Sequence, residues 1–183
     1  MKVVGITGGI GAGKSQILAY LKEHTRCRII IADQVAHELE EPGGRCYQPI
    51  VSILGTAILT GDGRIDRAKM AARIFADGKL LSQINAIVHP AVKEYITGVI
   101  AEERACDRID YLFIEAALLI EDGYKTIVDE LWYIHTDIQV RRERLKASRG
   151  YSDEKIDSIV NGQLSEEAFY GQCSVVIDNS GTL

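Results

Sequence analysis

A glycine-rich segment near the start of the chain constrains the fold more than any other feature. It follows a short apolar run, precedes a run with apolar residues at helical spacing, and reads Gly8-Gly9-Ile10-Gly11-Ala12-Gly13-Lys14-Ser15. This is a full match to G-x-x-x-x-G-K-[S/T], the phosphate loop that joins a strand to a helix. Its glycines let backbone N–H groups wrap around phosphate oxygens, and the helix adds its positive N-terminal end. The motif predicts a nucleoside triphosphate site, with Lys14 reaching the β- and γ-phosphates and the Ser15 hydroxyl coordinating Mg²⁺.

Apolar runs and helical patterns alternate along the rest of the chain. Short apolar runs predict five strands, at 3–6, 27–31, 111–114, 131–134 and 175–177. Strands separated by helices favour right-handed crossovers and a parallel sheet covered on both faces. The sequence therefore predicts an α/β fold, a three-layer α/β/α P-loop domain with a five-stranded parallel sheet. Binding sites in such a fold lie at the carboxyl ends of the strands.

The predicted elements form a single P-loop domain with an insertion and a lid. The core is expected at about 1–40, 107–136 and 172–183. The stretch at about 41–106 is almost wholly helical in pattern and is expected to be a substrate-binding insertion. The region at about 137–171 is expected to be a basic lid.

Local signals predict where several helices begin. Asp66 is a predicted N-cap, and Ser152 and Ser165 can cap two later helices. Pro90 is predicted in the first turn of the helix that follows it. A short helical piece is also predicted to start near Leu118.

Composition and cysteine spacing limit the cellular compartment and the kinds of binding partner that the sequence predicts. The chain has 183 residues, a net charge of −5 and four cysteines with no C-x-x-C pair. This spacing argues against a zinc ribbon or a redox dithiol and predicts reduced thiols in a cytoplasmic protein. The apolar run before Gly8 and Gly9 is too short and too glycine-rich to predict a signal peptide, and no apolar stretch is long enough to predict a span of the bilayer. Its mild acidity disfavours broad nucleic-acid binding, and no obligatory protein partner is evident.

The phosphate-loop motif alone does not separate a kinase from an ATPase or a GTPase. A GTPase would carry N-K-x-D for guanine, which is absent, and the D-x-x-G match at 178–181 lies at the wrong place in the chain. A motor or transporter ATPase would need a carboxylate at the end of an apolar strand, and Glu115 could serve. The helical insertion and the later basic helix fit a small-molecule kinase better, because such an enzyme has one lobe for the acceptor and a lid for the donor.

Asp33 is the candidate catalytic base. It follows the second predicted strand, where its carboxylate can accept the proton of an acceptor hydroxyl in line with the γ-phosphate. The alternative is a purely structural role as the N-cap of a helix starting at Gln34, and the two roles are compatible. His37 lies one helical turn later, on the same face, where contact with an acceptor is plausible. His89 is a further candidate contact, although a lone histidine is more often structural.

A basic segment after the fourth predicted strand is the candidate lid helix. Within 139–150 a single acid, Glu143, stands among five basic residues: Arg141, Arg142, Arg144, Lys146 and Arg149. Arginines on a mobile lid can neutralise the charge that spreads over the γ-phosphate oxygens during transfer. A solvated helix face is the alternative, and the phosphate loop favours the lid.

Several motifs, taken together and in order, resemble the dephospho-CoA kinase family over nearly the whole chain. The phosphate loop alone is widespread, but its T-G-G-I-G form combined with A-D, H-P and I-D-N elements is specific. The matching segments are Thr7–Ser15, Ala32-Asp33 with His37, Glu41-Pro42-Gly43, Asp62–Arg67, Ile74-Phe75, His89-Pro90 and Val176–Asn179.

This resemblance implies ATP-dependent phosphorylation of the ribose 3′-hydroxyl of dephospho-CoA, the last step of coenzyme A synthesis. It implies ATP and Mg²⁺ as the nucleotide and metal, and a helical lobe that binds CoA. Carried over by position, residues 9–15 hold the phosphates and Mg²⁺, Arg144 is the lid arginine, and Asn179 lies in the loop near adenine. Asp33 is then the base, and the expected acceptor contacts are Thr7, Asp33, His37 and His89.

The chain departs from the family pattern in four places. The common D-A-D reads Ile31-Ala32-Asp33, so only Asp33 can be the base, and the P-L-L element reads Ala117-Leu118-Leu119. The second lid arginine falls at Ser148, which leaves Arg149 as its expected substitute. The chain stops soon after Asn179, where family members usually continue into a final helix, so some loss of stability is expected.

Two other functions stay open on the residues alone. One is a kinase of another small hydroxylated acceptor, such as a nucleoside monophosphate. The other is a nucleotide-binding switch or ATPase that acts with a protein partner. Acceptor selectivity separates the first from a dephospho-CoA kinase, and acceptor-independent hydrolysis would favour the second.

Overall fold

The centre of the molecule is a five-stranded parallel sheet. A computed structural model describes residues 1–181 and gives the strand order β2-β3-β1-β4-β5. The strands are β1 (Lys2–Thr7), β2 (Cys27–Ile31), β3 (Tyr111–Glu115), β4 (Glu130–His135) and β5 (Val175–Asp178). All five predicted strands are confirmed, and no end differs from the prediction by more than one residue.

Strand β1 pairs in parallel with both β3 and β4, so the phosphate loop leaves from the middle of the sheet. Ile6 pairs with Glu115 on one side and with Trp132 on the other. Strand β5 continues the sheet beyond β4, with His135 paired to Asp178. The carboxyl ends of these four strands therefore lie side by side at one edge.

The helices connect the strands as the alternating pattern predicts. They are α1 (Lys14–His24), α2 (Ala32–Leu39), α3 (Tyr47–Leu54), α4 (Arg67–Ala76), α5 (Gly78–Cys106), α6 (Ile138–Arg149), α7 (Asp153–Asn161) and α8 (Glu166–Gln172). Short 3₁₀ helices occupy Thr56–Ile58 and Tyr124–Thr126. None of the helices in this described part of the chain is long and apolar enough to cross a membrane.

The predicted N-caps are confirmed at three helices. The Asp66 carboxylate accepts from the N–H groups of Ala68 and Lys69, at 3.0 and 3.1 Å. The Ser152 and Ser165 hydroxyls accept from the third residue along, as a serine cap does.

Three local predictions are wrong. Helix α2 begins at Ala32 and its cap position is Ile31, so Asp33 lies in the first turn and is not the N-cap. Pro90 lies in the interior of α5, not in its first turn, because the apolar stripe of this helix continues on both sides of the proline and outweighs the lost backbone hydrogen bond. The short helical piece predicted to start near Leu118 is a 3₁₀ helix that begins at Tyr124, and the chain at Leu118 itself forms turns.

The backbone contacts divide the chain into two compact units. One unit, here the sheet unit, contains Met1–Ile30 and the chain from Glu103 onward, and the other, the helical unit, contains Ile31–Glu102.

The core of the sheet unit lies between the sheet and α1. Apolar side chains from β1, the phosphate loop, α1, β3 and β4 form one buried cluster: Val4, Ile6, Ala12, Leu18, Phe113 and Ile134. The opposite face of β4 is buried as well, where the Tyr133 ring stacks on Phe169 of α8 with ring centroids 4.7 Å apart. Burial on both faces explains why the strands read as continuous apolar runs.

The helical unit is built around α5. One stripe of this helix is buried at helical spacing: Ile84, Val88, Ala91, Val92, Ile96, Val99 and Ile100. Ile50 and Leu54 of α3 are also buried, together with Ile58. Helix α4, by contrast, has no buried residue.

Candidate active site

Glycines in the phosphate loop are required by its backbone. Gly11 and Gly13 have φ values of +78° and +84°, in the left-handed region that other residues avoid. A Cβ atom at Gly13 would stand 2.3 Å from Asn179 Nδ2, and one at Gly9 would stand 2.3 Å from the guanidinium of Arg141. The loop is therefore closely packed against side chains that arrive from other parts of the chain. The predicted phosphate-loop conformation, between β1 and α1, is present.

Lys14 lies over the loop, close to a carboxylate. Its Nζ donates to Gly8 O at 2.8 Å and lies 3.6 Å from Glu115 Oε1. Glu115 ends β3, the strand next to β1, and both side chains are mostly buried. The Lys14 ammonium is therefore held at the Gly8 end of the loop, opposite the helix N-terminus. Ser15 is exposed in the first turn of α1.

The far side of the loop is fastened to β4 and β5. The Thr136 hydroxyl and the Asn179 amide both donate to Ala12 O, at 3.0 and 2.9 Å. Both side chains are buried. Asn179, predicted near the nucleotide, thus holds the loop backbone. Thr7, a predicted acceptor contact, is also buried, and its hydroxyl has no hydrogen-bond partner among residues 1–181.

The basic helix α6 has two faces with different roles. Its inner face carries Arg141 and Arg144. Arg144 Nη2 donates to the backbone carbonyls of Asn179 and Gly181, at 2.9 and 3.1 Å. Its outer face carries Arg142, which forms ion pairs with Asp153 and Asp157 of α7. The lid role of α6, and with it the catalytic role of Arg144, stays a prediction.

Arg141 makes the most direct contact between α6 and the loop. It is 6% exposed, and its Nε donates to Ile10 O at 2.9 Å. Burial lowers the pKa of its guanidinium from the ordinary value, while Tyr133 and Glu166 act in the opposite direction. Arg149, in contrast, is exposed at the end of α6, with its guanidinium 5.9 Å from the centre of the Tyr151 ring.

Sequence reasoning missed Gln163. Its Oε1 accepts from Ile10 N at 3.2 Å and from Arg141 Nη2 at 3.0 Å. Arg141 belonged to the predicted basic helix, and its spacing of three from Arg144 is the signal that places the two on one face. No sequence signal marks Gln163, because it lies in a connection between α7 and α8.

The predicted acceptor residues lie in the helical unit. Asp33 and His37 are exposed on α2, one turn apart, and Arg67 Nη1 contacts His37 Nε2. Burial is the main cause that lowers the pKa of His37, and the Arg67 charge adds to it. His89 is partly buried inside α5. The roles of Asp33, His37 and His89 stay predictions.

The oxygen donors at the loop suit Mg²⁺. Kinases hold this ion with one or two protein oxygens, while substrate phosphates and waters supply the remaining ligands. The Ser15 hydroxyl lies at the start of α1, and the Glu115 carboxylate lies beside Lys14. Among the described residues no three His, Cys, Asp or Glu side chains gather into a cage of their own. The residues therefore fit a metal carried by the nucleotide.

Solved structures share this fold. A protein from Thermus thermophilus, TT1252, superposes with a TM-score of 0.81 at 26% identity, over 99% of this chain and 90% of that one. The dephospho-CoA kinase from Campylobacter jejuni gives 0.74 at 20% identity, over 100% and 90%. Shikimate kinase from Acinetobacter baumannii gives 0.51 at 12% identity, over 100% and 86%. The last two likenesses concern the fold alone.

Sheet order, phosphate loop and basic helix together define a P-loop kinase. The family model described as "Dephospho-CoA kinase" matches residues 2–183. The dephospho-CoA kinases of Thermobifida fusca and Geobacter sulfurreducens are each 36% identical over all of this chain, which covers 89% and 91% of their lengths. The chain belongs to the dephospho-CoA kinase family.

Proposed function

We propose that this chain transfers the γ-phosphoryl group of ATP to the ribose 3′-hydroxyl of dephospho-CoA, giving coenzyme A and ADP. The family match over residues 2–183 is the observation that carries the proposal. The phosphate loop, with Lys14 fixed above it, supports the donor half of the reaction.

In the proposed reaction the 3′-hydroxyl oxygen attacks the γ-phosphorus and the bond to the β-γ bridging oxygen breaks. ADP leaves, and the hydroxyl proton passes to the Asp33 carboxylate. The transition state spreads negative charge over the γ-phosphate oxygens, so the main task of the protein is to position groups and stabilise charge.

Lys14 and the loop N–H groups are proposed to supply that stabilisation. The Lys14 ammonium is already oriented by Gly8 O and Glu115, so little reorganisation is needed when a phosphate approaches. Mg²⁺, when bound with ATP, neutralises charge on the β- and γ-phosphates, and Ser15 and Glu115 are the residues that would hold it.

The two inner-face arginines are proposed to act at different places. Arg141 bonds Ile10 in the first half of the loop, whereas Arg144 bonds the loop after β5 that contains Asn179. Arg144 is thus proposed to act on the nucleotide from the Asn179 side. Arg149 is proposed as a further nucleotide contact, although its guanidinium lies over the Tyr151 ring rather than against the loop. Small molecules as partners and a cytoplasmic location stay predictions.

The experiment that tests the proposal measures ADP release from MgATP with different acceptors. Dephospho-CoA, AMP, adenosine and shikimate are supplied singly, and each product is weighed by mass spectrometry. We expect ADP release coupled to the gain of one phosphate on dephospho-CoA alone. Phosphorylation of AMP would keep the kinase class and overturn the acceptor, whereas hydrolysis at one rate with every acceptor would favour an ATPase.

A further inference from the structure

Both backbone groups of Ile10 are held by side chains from the basic lid region. Its carbonyl accepts from Arg141 Nε at 2.9 Å, and its N–H donates to Gln163 Oε1 at 3.2 Å. Arg141 Nη2 also donates to Gln163 Oε1, at 3.0 Å, which closes a ring of three hydrogen bonds. Both partners of Oε1 are donors, so the amide oxygen of Gln163 serves as the shared acceptor.

The Ile10 N–H lies near the point where the Lys14 ammonium is held. In phosphate loops the backbone N–H groups cradle the α- and β-phosphates and the lysine reaches the β- and γ-phosphates, so the lysine ammonium marks the part of the loop nearest the terminal phosphate. Here Lys14 Nζ is bonded to Gly8 O, two residues before Ile10. The Lys14 ammonium and the Ile10 N–H therefore belong to the same half of the loop, away from the start of α1.

We propose that Gln163 is a positioning residue that competes with the terminal phosphate of the nucleotide for the Ile10 N–H, so that binding of a triphosphate, but not of a diphosphate, releases the connection between α7 and α8. This inference rests on the use of ATP in the proposed function. Arg141, a buried cation, then exchanges the amide oxygen for a phosphate oxygen, which is a stronger acceptor for a charged donor.

The surroundings of Gln163 allow this exchange. Gln163 follows Gly162, the C-cap residue of α7, and its side chain is only partly buried. A cavity of about 330 Å³ lies beside it, lined among others by Tyr133, Arg141, Gln163 and Glu166. The side chain can thus leave Ile10 without displacing the core of the sheet unit. Binding of a triphosphate in the loop would thus free Gln163 and change the contacts of the connection between α7 and α8.

Two substitutions at this position should change nucleotide preference in opposite directions. Gln163→Glu keeps the acceptor but makes it an anion, which binds Arg141 and Ile10 N–H more strongly and repels phosphate. Gln163→Met keeps a similar length but removes the acceptor, so the competition ends. Gln172→Glu is the matched control, since it makes the same charge change at an exposed residue of α8 whose amide contacts Lys125.

The experiment measures dissociation constants for a non-hydrolysable ATP analogue and for ADP, with Mg²⁺, by titration calorimetry. For Gln163→Glu we expect analogue binding about tenfold weaker and ADP binding changed by less than about threefold. For Gln163→Met we expect analogue binding about threefold tighter with ADP binding unchanged. Gln172→Glu should match the wild type.

The possible results separate this inference from the proposed function. If both Gln163 variants move analogue and ADP binding equally, or in one direction, the competition is wrong while the kinase assignment stands. If the wild-type protein binds neither nucleotide, both are wrong. If it binds them with the expected preferences but leaves dephospho-CoA unmodified, the acceptor alone is wrong and the role of Gln163 is supported.

Discussion

The phosphate loop of the sheet unit and helix α2 of the helical unit hold their predicted residues in opposite ways. In the loop, side chains from α6, from the connection after α7 and from the residues that follow β4 and β5 hold the backbone of Ile10 and Ala12. On α2, Asp33 and His37 stand on an exposed helix surface, and Arg67 is the side chain that contacts His37. The proposed roles match this difference: the loop that would receive the triphosphate is held by its own contacts, whereas Asp33 and His37 are open to solvent, where an acceptor can reach them.

Asp33→Asn gives the largest effect we predict. The amide keeps the shape of the carboxylate but does not accept the hydroxyl proton, so kcat should fall about 10²- to 10⁴-fold. The loop lies in the other unit and is unchanged, so the dissociation constant for the ATP analogue should stay within about twofold of the wild-type value. Steady-state kinetics and calorimetry on one preparation measure both.

Glu38→Gln is the control for Asp33→Asn, because it removes the same charge from an exposed position on the same helix. Its kcat should stay close to the wild-type value. Turnover by Asp33→Asn within about threefold of wild type would remove Asp33 as the base and leave positioning as the whole catalytic effect.

The sequence predicted those parts of the site that depend on a few neighbouring residues. The loop conformation follows from glycines at 8, 11 and 13, and the helix after it from Lys14 onward. Arg141 and Gln163 approach Ile10 from 131 and 153 positions along the chain. Contacts of this kind depend on the packing of whole elements, and spacing within one sequence does not reveal them.

The wrong fold predictions have the same physical origin. Pro90 favours a helix start when only its neighbours are considered, yet the buried stripe of α5 continues from Ile84 to Ile100. Burial of that stripe outweighs one missing backbone hydrogen bond, so the helix runs through the proline. Asp33 is also a good N-cap when only its neighbours are considered. Helix α2 nevertheless begins one residue earlier, at Ala32, whose side chain is buried together with that of Val35.

Gly13→Ala tests the rigid side of the comparison. The new Cβ would stand 2.3 Å from Asn179 Nδ2, and the residue would keep φ near +84°. A non-glycine residue in this conformation, with a clash against a buried amide, should lower the free energy of unfolding by about 2–3 kcal/mol. Urea unfolding followed by circular dichroism measures the loss, and a loss below about 0.5 kcal/mol would show that the loop is less constrained than its contacts indicate.

Gly98→Ala is the matched change in the helical unit and should have the opposite sign. Gly98 lies inside α5, and a Cβ there meets nothing within 4 Å. Alanine reduces the entropy that the unfolded chain loses on forming the helix, so the free energy of unfolding should rise by about 0.5–1 kcal/mol. The same urea titration applies, and destabilisation would mean that this face of α5 is in contact with another surface.

His37→Gln has the smallest expected effect, a change in how the stability of the helical unit depends on pH. Burial and the Arg67 charge lower the pKa of His37 in the folded state, so near the ordinary histidine value of about 6.5 the unfolded chain binds more protons than the folded one. The contribution of His37 to the free energy of unfolding therefore rises with pH and is fully present above about pH 6.5. It is lost as the pH falls below that value. Urea unfolding at pH 7.5 and 5.5 should show a larger loss for the wild type than for His37→Gln. Arg67→Met removes the repelling cation but leaves the burial of His37, so its loss should lie between the other two. Equal losses in all three proteins would place the pH dependence of the helical unit elsewhere.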